Sequence, residues 1–117
     1  MKPEPTVTDP AAGRTCRPCE GGTPPIAPED AAVELQSLPG WVLDEDAIEK
    51  VYEFRNYHQT MAFVNAVAWI AHQEDHHPEM EIAYKTCRVR FTTHTIDGLS
   101  ANDFLCAHRI EALLRPE

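Results

Sequence analysis

The sequence predicts an α+β domain: a four-stranded antiparallel sheet with three helices packed on one face. Three observations predict it. Apolar residues alternate at period two near residues 48–54 and 87–93, and they form stripes at helical spacing over 57–74 and 100–114. The links between neighbouring strands are too short for a parallel crossover, so the strands pair antiparallel.

The elements follow in order. Pro28-Glu29-Asp30 opens a helix with proline and acids in its first turn, Ala31, Leu35 and Leu38 form its apolar stripe, and Pro39-Gly40 ends it. Trp41-Val42-Leu43 reads as a short strand turned by Asp44-Glu45-Asp46. Ile48, Lys50, Tyr52 and Phe54 then form the mainly aromatic inner face of a second strand. Asn56 caps a long helix over about residues 57–74, with Phe63, Val67 and Ile70 on one stripe and Val64, Ala68 and Ala71 widening it. That stripe is broad enough to serve both a core and a partner subunit. Pro78 biases His77 towards extended geometry and ends the helix before it. Residues 80–84 and 87–93 read as two strands joined at Lys85-Thr86. Cys87, Val89, Phe91 and Thr93 share one face of the second; Arg88, Arg90, Thr92 and His94 share the other. Ser100 caps the last helix, with Asp103 at the capping-box position and a Leu99–Phe104 staple.

Seven of the ten prolines and three of the five glycines lie within residues 1–28, too little apolar surface to offset the entropy of ordering. Residues 1–26 are therefore expected to be a flexible Pro/Gly-rich tail and 27–117 a single domain. The first residues have no apolar stretch behind them, and no run approaches a membrane span, so neither a secretory signal nor a membrane partner is expected. A net charge of −9 lacks the basic footprint that duplex binding requires, which argues against a nucleic-acid partner. Without secretory context, Cys16, Cys19, Cys87 and Cys106 read as free thiols in a reducing, cytoplasmic setting.

Six histidines mark where chemistry could sit. His76-His77-Pro78 lies at a helix end and His94 at a strand end. Imidazole exchanges protons near neutral pH, and if the strand after Pro78 pairs with the one ending at Thr93, His94 returns to the neighbourhood of His76 and His77. From spacing alone these three read equally well as solvated loop and strand-end residues. His58 and His108 read as surface residues, and Arg88 and Arg90 as a solvated strand face rather than an anion clamp. His72 and His76 stand at i, i+4, and Cys16-Arg17-Pro18-Cys19 could supply half a zinc site. No second CxxC follows, however, and no Glu stands directly after His72, so no metal is expected.

The run Asp75-His76-His77-Pro78-Glu79 resembles the pterin-4a-carbinolamine dehydratase family. Thr93-His94, seventeen residues beyond His77, Gly98-Leu99-Ser100-x-x-Asp103, Pro39-Gly40-Trp41 and Ala47-Ile48-x-Lys50-x-Tyr52-x-Phe54 carry the resemblance further. It implies dehydration of a 4a-hydroxytetrahydropterin to quinonoid dihydropterin by histidine general acid/base catalysis, which recycles the tetrahydrobiopterin cofactor of aromatic amino acid hydroxylases. It implies His76 and His94 as proton donors and acceptors at the 4a-hydroxyl, and His77 orienting the pterin and sharing in proton transfer. Asp75, Thr92, Thr93 and Thr95 then edge the substrate, with Asp103 near the histidines. No cofactor is implied, because the pterin is the substrate. The partners implied are a second copy or three further copies of the chain and, functionally, a pterin-dependent hydroxylase. Two departures stand out: His72 occupies a place where many members have Glu, and Met80 one where animal members often have Trp. The alternative expectation is a non-catalytic binding or dimerisation module on the same fold, and a second alternative is a small metal protein using His72, His76 and the tail cysteines.

Overall fold

Alternating burial along two strands builds the sheet that positions everything else. In the computed structural model, which describes residues 15–18 and 21–115, the elements are α1 (Pro28–Leu35), β1 (Val42–Asp44), β2 (Ala47–Glu53), α2 (Tyr57–Glu74), β3 (Glu79–Ile82), β4 (Thr86–Phe91) and α3 (Ala101–Leu113). The four strands run antiparallel in the order β1-β2-β4-β3. The register of β2 on β4 sets Ile48 opposite Phe91, Lys50 opposite Val89 and Tyr52 opposite Cys87. One face of the sheet is thereby committed to the core, since a one-residue slip would turn every apolar side chain outwards.

That face meets Phe63, Val64, Val67 and Ile70 of α2 and Phe104, Cys106, Ala107 and Ile110 of α3. Trp41, Tyr52, Phe63 and Phe54 form a chain of ring contacts through the layer. The opposite face carries charged pairs beside the exposed Val42 and Val51. Arg88 bridges Glu49 and Glu81, and Arg90 bridges Asp44 and Glu49, so both guanidiniums answer carboxylates of the sheet itself. Arg88 and Arg90 thus lie on the strand face, not solvated as expected but partly buried, with their charges paired across strands.

The caps form as their residue types dictate. The Asn56 side chain accepts from the Gln59 N–H at 2.8 Å, and Ser100 and Asp103 make the full capping box of α3. His108 is corrected by the structure: it is buried at 4% exposure, not a surface residue. The run 103–108 is buried at every position, so α3 is covered around most of its circumference and leaves few positions for solvent. No helix among the described residues is long and apolar enough to cross a membrane.

Glu111 of α3 closes a polar cluster at the far end of the core. Its carboxylate accepts from Lys50 Nζ at 2.8 Å, from Trp41 Nε1 at 3.4 Å and from the Tyr52 hydroxyl. Burial pushes the Glu111 carboxyl up, but Lys50, Tyr52 and Trp41 together outweigh it and hold the group below the usual carboxylate range. A depressed folded value contributes stability above the ordinary glutamate value of about 4.3, and loses it as pH falls through the folded value. The thermal midpoint of the parent is therefore expected to fall more steeply below about pH 4 than that of Glu111→Gln. Parallel midpoint-against-pH curves for the two proteins would contradict this role.

Of the segment expected to be flexible, residues 1–14, 19 and 20 lie outside the described residues. Residues 15–18 lie against α2 and α3, and Ile26 N–H donates to Leu99 O at 2.8 Å. Gly98 sits where a Cβ would meet Pro25 Cβ at 2.6 Å, which accounts for glycine at that position.

Candidate active site

The C-terminal end of α2 and the N-terminal end of α3 face each other across the end of β4. Asp75 ends α2 in the left-handed region at φ 51°, which takes His76 out of the helical path. The i, i+4 relation of His72 and His76 is thus not a helical one: the His72 ring lies beside Trp69 at 5.9 Å, while His76 turns to α3. Beyond β4, Thr93 bridges Gly98, and a 3-10 turn over His94–Ile96 closes with Asp97 at φ 52°. This turn replaces the expected continuation of the strand, so His94 leaves the row formed by Arg88 and Arg90.

Asp103 is the centre of the arrangement. Its side chain is fully buried and receives three hydrogen bonds. Oδ2 accepts from Ser100 N–H at 2.9 Å and from the Thr93 hydroxyl at 2.8 Å; Oδ1 lies 2.6 Å from His76 Nε2. The Thr93 proton goes to the carboxylate, so the Ser100 hydroxyl donates to Thr93 Oγ1 at 2.8 Å, and Ser100 Oγ accepts in turn from Asn102 N–H. Every proton in this network then has one direction. A carboxylate only accepts, so His76 carries its proton on Nε2 and Nδ1 is left as the acceptor nitrogen of the ring. The His76 ring also stacks on Phe91, 5.7 Å between centroids and 7° between planes, which fixes its tilt. A buried acid aligned on one imidazole nitrogen is an arrangement suited to proton transfer by the other.

A cavity of about 290 Å³ opens beside His76, walled by Cys16, Arg17, Pro18, Glu74, Asp75, His76, Thr93, Thr95 and Asn102. Of the sequence-derived candidates, Asp75, His76, Thr93 and Thr95 line it and Asp103 stands behind His76. His77 and His94 are exposed and are not among its walls. Thr92 turns away: its hydroxyl donates to Asp46 O in the β1–β2 turn.

Sequence reading did not mark Cys16, Arg17, Pro18, Glu74 or Asn102 as walls. Glu74 accepts from the Thr15 hydroxyl at 2.9 Å and Cys16 N–H at 2.8 Å, and pairs with Arg109 at 3.1 Å. Burial pushes the Glu74 carboxyl up, but these three partners prevail and hold it below the usual range. Asn102 clamps Arg17 from both sides, accepting from its N–H at 3.0 Å and donating to its carbonyl at 2.6 Å. Among the described residues there is no cluster of three or more His, Cys, Asp or Glu side chains arranged to hold a metal ion.

Residues 24–113 match the family model described as pterin 4 alpha carbinolamine dehydratase. A protein of Nitrosomonas eutropha provisionally named as such a dehydratase is 56% identical over 104 residues, covering 88% of this chain and 92% of its own. One of Dechloromonas aromatica, named in the same provisional way, is 55% identical over 103 residues, with the same 88% and 92% covered. Among solved structures, a transcriptional coactivator/pterin dehydratase from Brucella melitensis superposes with a TM-score of 0.74 at 26% identity, covering 78% of this chain and 99% of that one. A pterin dehydratase-like protein described as a RuBisCO assembly factor in the alpha-carboxysome shares the fold, with a TM-score of 0.55 at 22% identity over 66% of this chain and 89% of its own. With the family model spanning the body of the fold and relatives above half identity, the chain belongs to the pterin 4 alpha carbinolamine dehydratase family.

Proposed function

We propose that the chain dehydrates 4a-hydroxytetrahydropterin to quinonoid dihydropterin at the cavity beside His76. The observation that carries this reading is the 2.6 Å contact between His76 Nε2 and the buried Asp103 carboxylate. In the reaction the C4a–O bond breaks, the N5–H proton is lost and a C4a–N5 double bond forms. One protonated imidazole gives its proton to the departing oxygen, and one neutral imidazole takes the proton from N5. Protons and electrons balance within the substrate and the histidines, so the proposed chemistry calls for no resident cofactor. His76, with its proton on Nε2 towards Asp103 and Nδ1 free to accept, is the second of these groups. His94 lies between the cavity residues Thr93 and Thr95, and His77 follows Asp75 and His76, which supports both as the further proton-handling and orienting groups. Asp75, Thr93 and Thr95 would edge the pterin.

The test is direct. A pterin-dependent aromatic hydroxylase generates the 4a-hydroxy adduct, whose decay is followed by absorbance. Adding the purified, chelator-treated protein is expected to accelerate the decay, and an unchanged decay would refute the proposal. The competing reading, a binding module on the same fold, draws on the exposed Val51, Trp69, Ile82 and Tyr84 and on the assembly role named for one solved relative. It predicts that unchanged decay. The same exposed residues and the open edges of β1 and β3 support a homodimer or homotetramer, which sedimentation would distinguish.

A further inference from the structure

We infer that Cys16 and Cys106 form a redox pair whose disulfide fastens the 15–18 segment onto α3 and so fixes one wall of the cavity. The inference does not depend on the dehydratase reading. The two sulfurs lie 3.6 Å apart, although 90 positions separate them in the chain. A disulfide requires about 2.05 Å, so closure asks for a movement of about 1.5 Å. The Cys16 side of the pair is held in place before any bond forms. Thr15 and Cys16 donate to Glu74, Asn102 grips both backbone groups of Arg17, and Cys16 Sγ also lies 3.8 Å from Asn102 O. The Cys106 side is rigid, since it sits at 0% exposure in the middle of α3.

Access sets the order of events. Cys16 is partly exposed, so a hydroperoxide meets it first. The contact with Cys16, and then burial, push the Cys106 thiol well above the usual range, so Cys106 stays a protonated resolving thiol. In the first step Cys16 Sγ attacks the peroxide, giving a sulfenic acid and an alcohol, or water when the oxidant is hydrogen peroxide. In the second step Cys106 Sγ attacks the sulfenic sulfur, the S–S bond forms, and the Cys106 proton leaves with the sulfenic hydroxyl as water. Two thiols and one hydroperoxide thus become one disulfide, one alcohol and one water. Cys16, Arg17 and Pro18 wall the cavity, so the bond ties that wall to the helix carrying Asp103. Cys19, the competing partner for Cys16, lies outside the described residues.

The experiment treats the reduced full chain with about one equivalent of hydrogen peroxide, then alkylates it under denaturing conditions and maps the peptides. The expected product is about 2 Da lighter, carries a dithiothreitol-reversible Cys16–Cys106 cross-link and melts about 5 °C or more higher. Cys19→Ser is expected to form the same link, and Cys106→Ala to lose it. A Cys16–Cys19 link in the parent, or a Cys106 that remains alkylatable after oxidation, would overturn the pairing. A lower melting temperature in the cross-linked protein would overturn the fastening role.

Discussion

Replacing Asp103 with Asn is expected to lower kcat for pterin dehydration by about 10²- to 10⁴-fold while the fold persists. The oxygen of the introduced amide would take over the bonds from Ser100 N–H and the Thr93 hydroxyl, which both fall on Oδ2 of Asp103. The amide NH₂ would then face His76 Nε2. A donor in that place forces Nε2 to accept and moves the ring proton to Nδ1, so the nitrogen proposed to take a proton already carries one. On the proposed function Asp103 would act as a positioning residue, and its effect has a signature beyond loss of rate. Nitrogen NMR of the His76 ring is expected to show the Nε2–H tautomer in the parent and the Nδ1–H tautomer in Asp103→Asn. The same tautomer in both proteins would contradict the account. Asp103→Ala is the structural counterpart. It removes the Asp103 half of the capping box and leaves the Thr93 hydroxyl, the Ser100 N–H and His76 Nε2 without their acceptor, for an expected loss of about 3–5 kcal/mol.

His76→Ala is expected to reduce turnover by about 10²- to 10⁴-fold and to leave the melting temperature within a few degrees. The side chain is 13% exposed and sits at the cavity edge, so its removal opens space continuous with the cavity rather than a sealed void in the core. That space offers a check on the chemistry: free imidazole should restore part of the lost rate in His76→Ala and none in Asp103→Asn. If His76→Ala turned over at the parental rate, the proton would be passing through other groups.

The fold was legible because its signals are local. The Asn56 cap, the Ser100-x-x-Asp103 box and the alternation through Ile48, Lys50 and Tyr52 each depend on residues within a few positions of one another. Legibility faded where partners are distant or where a local pattern admits two readings. The capping box accounts for Asp103 fully, yet its second oxygen serves His76, 27 positions earlier, and no local rule connects them. The apolar residues of α3 show which face must be buried but not that the remaining face is covered too, so His108 read as exposed. A strand pattern through Thr93 does not announce that Asp97 will enter the left-handed region and turn His94 aside. The Pro/Gly-rich composition before residue 28 hides the docking of residues 15–18, which rests on Glu74 and Asn102 and not on an apolar stripe. The Cys16-x-x-Cys19 spacing suggests half a zinc site within the tail, whereas the sulfur facing Cys16 belongs to α3.

The central claim is that a pterin binds with its reacting edge at His76. A crystal structure of the protein with an oxidised pterin bound tests this most directly. The account predicts the ring in the cavity between Asp75 and Thr95, with its C4a–N5 edge within hydrogen-bond reach of His76 Nδ1. A pterin seated elsewhere, for instance in the larger cavity of about 630 Å³ between Thr23, Ile26 and Leu105, with His76 untouched, would contradict it.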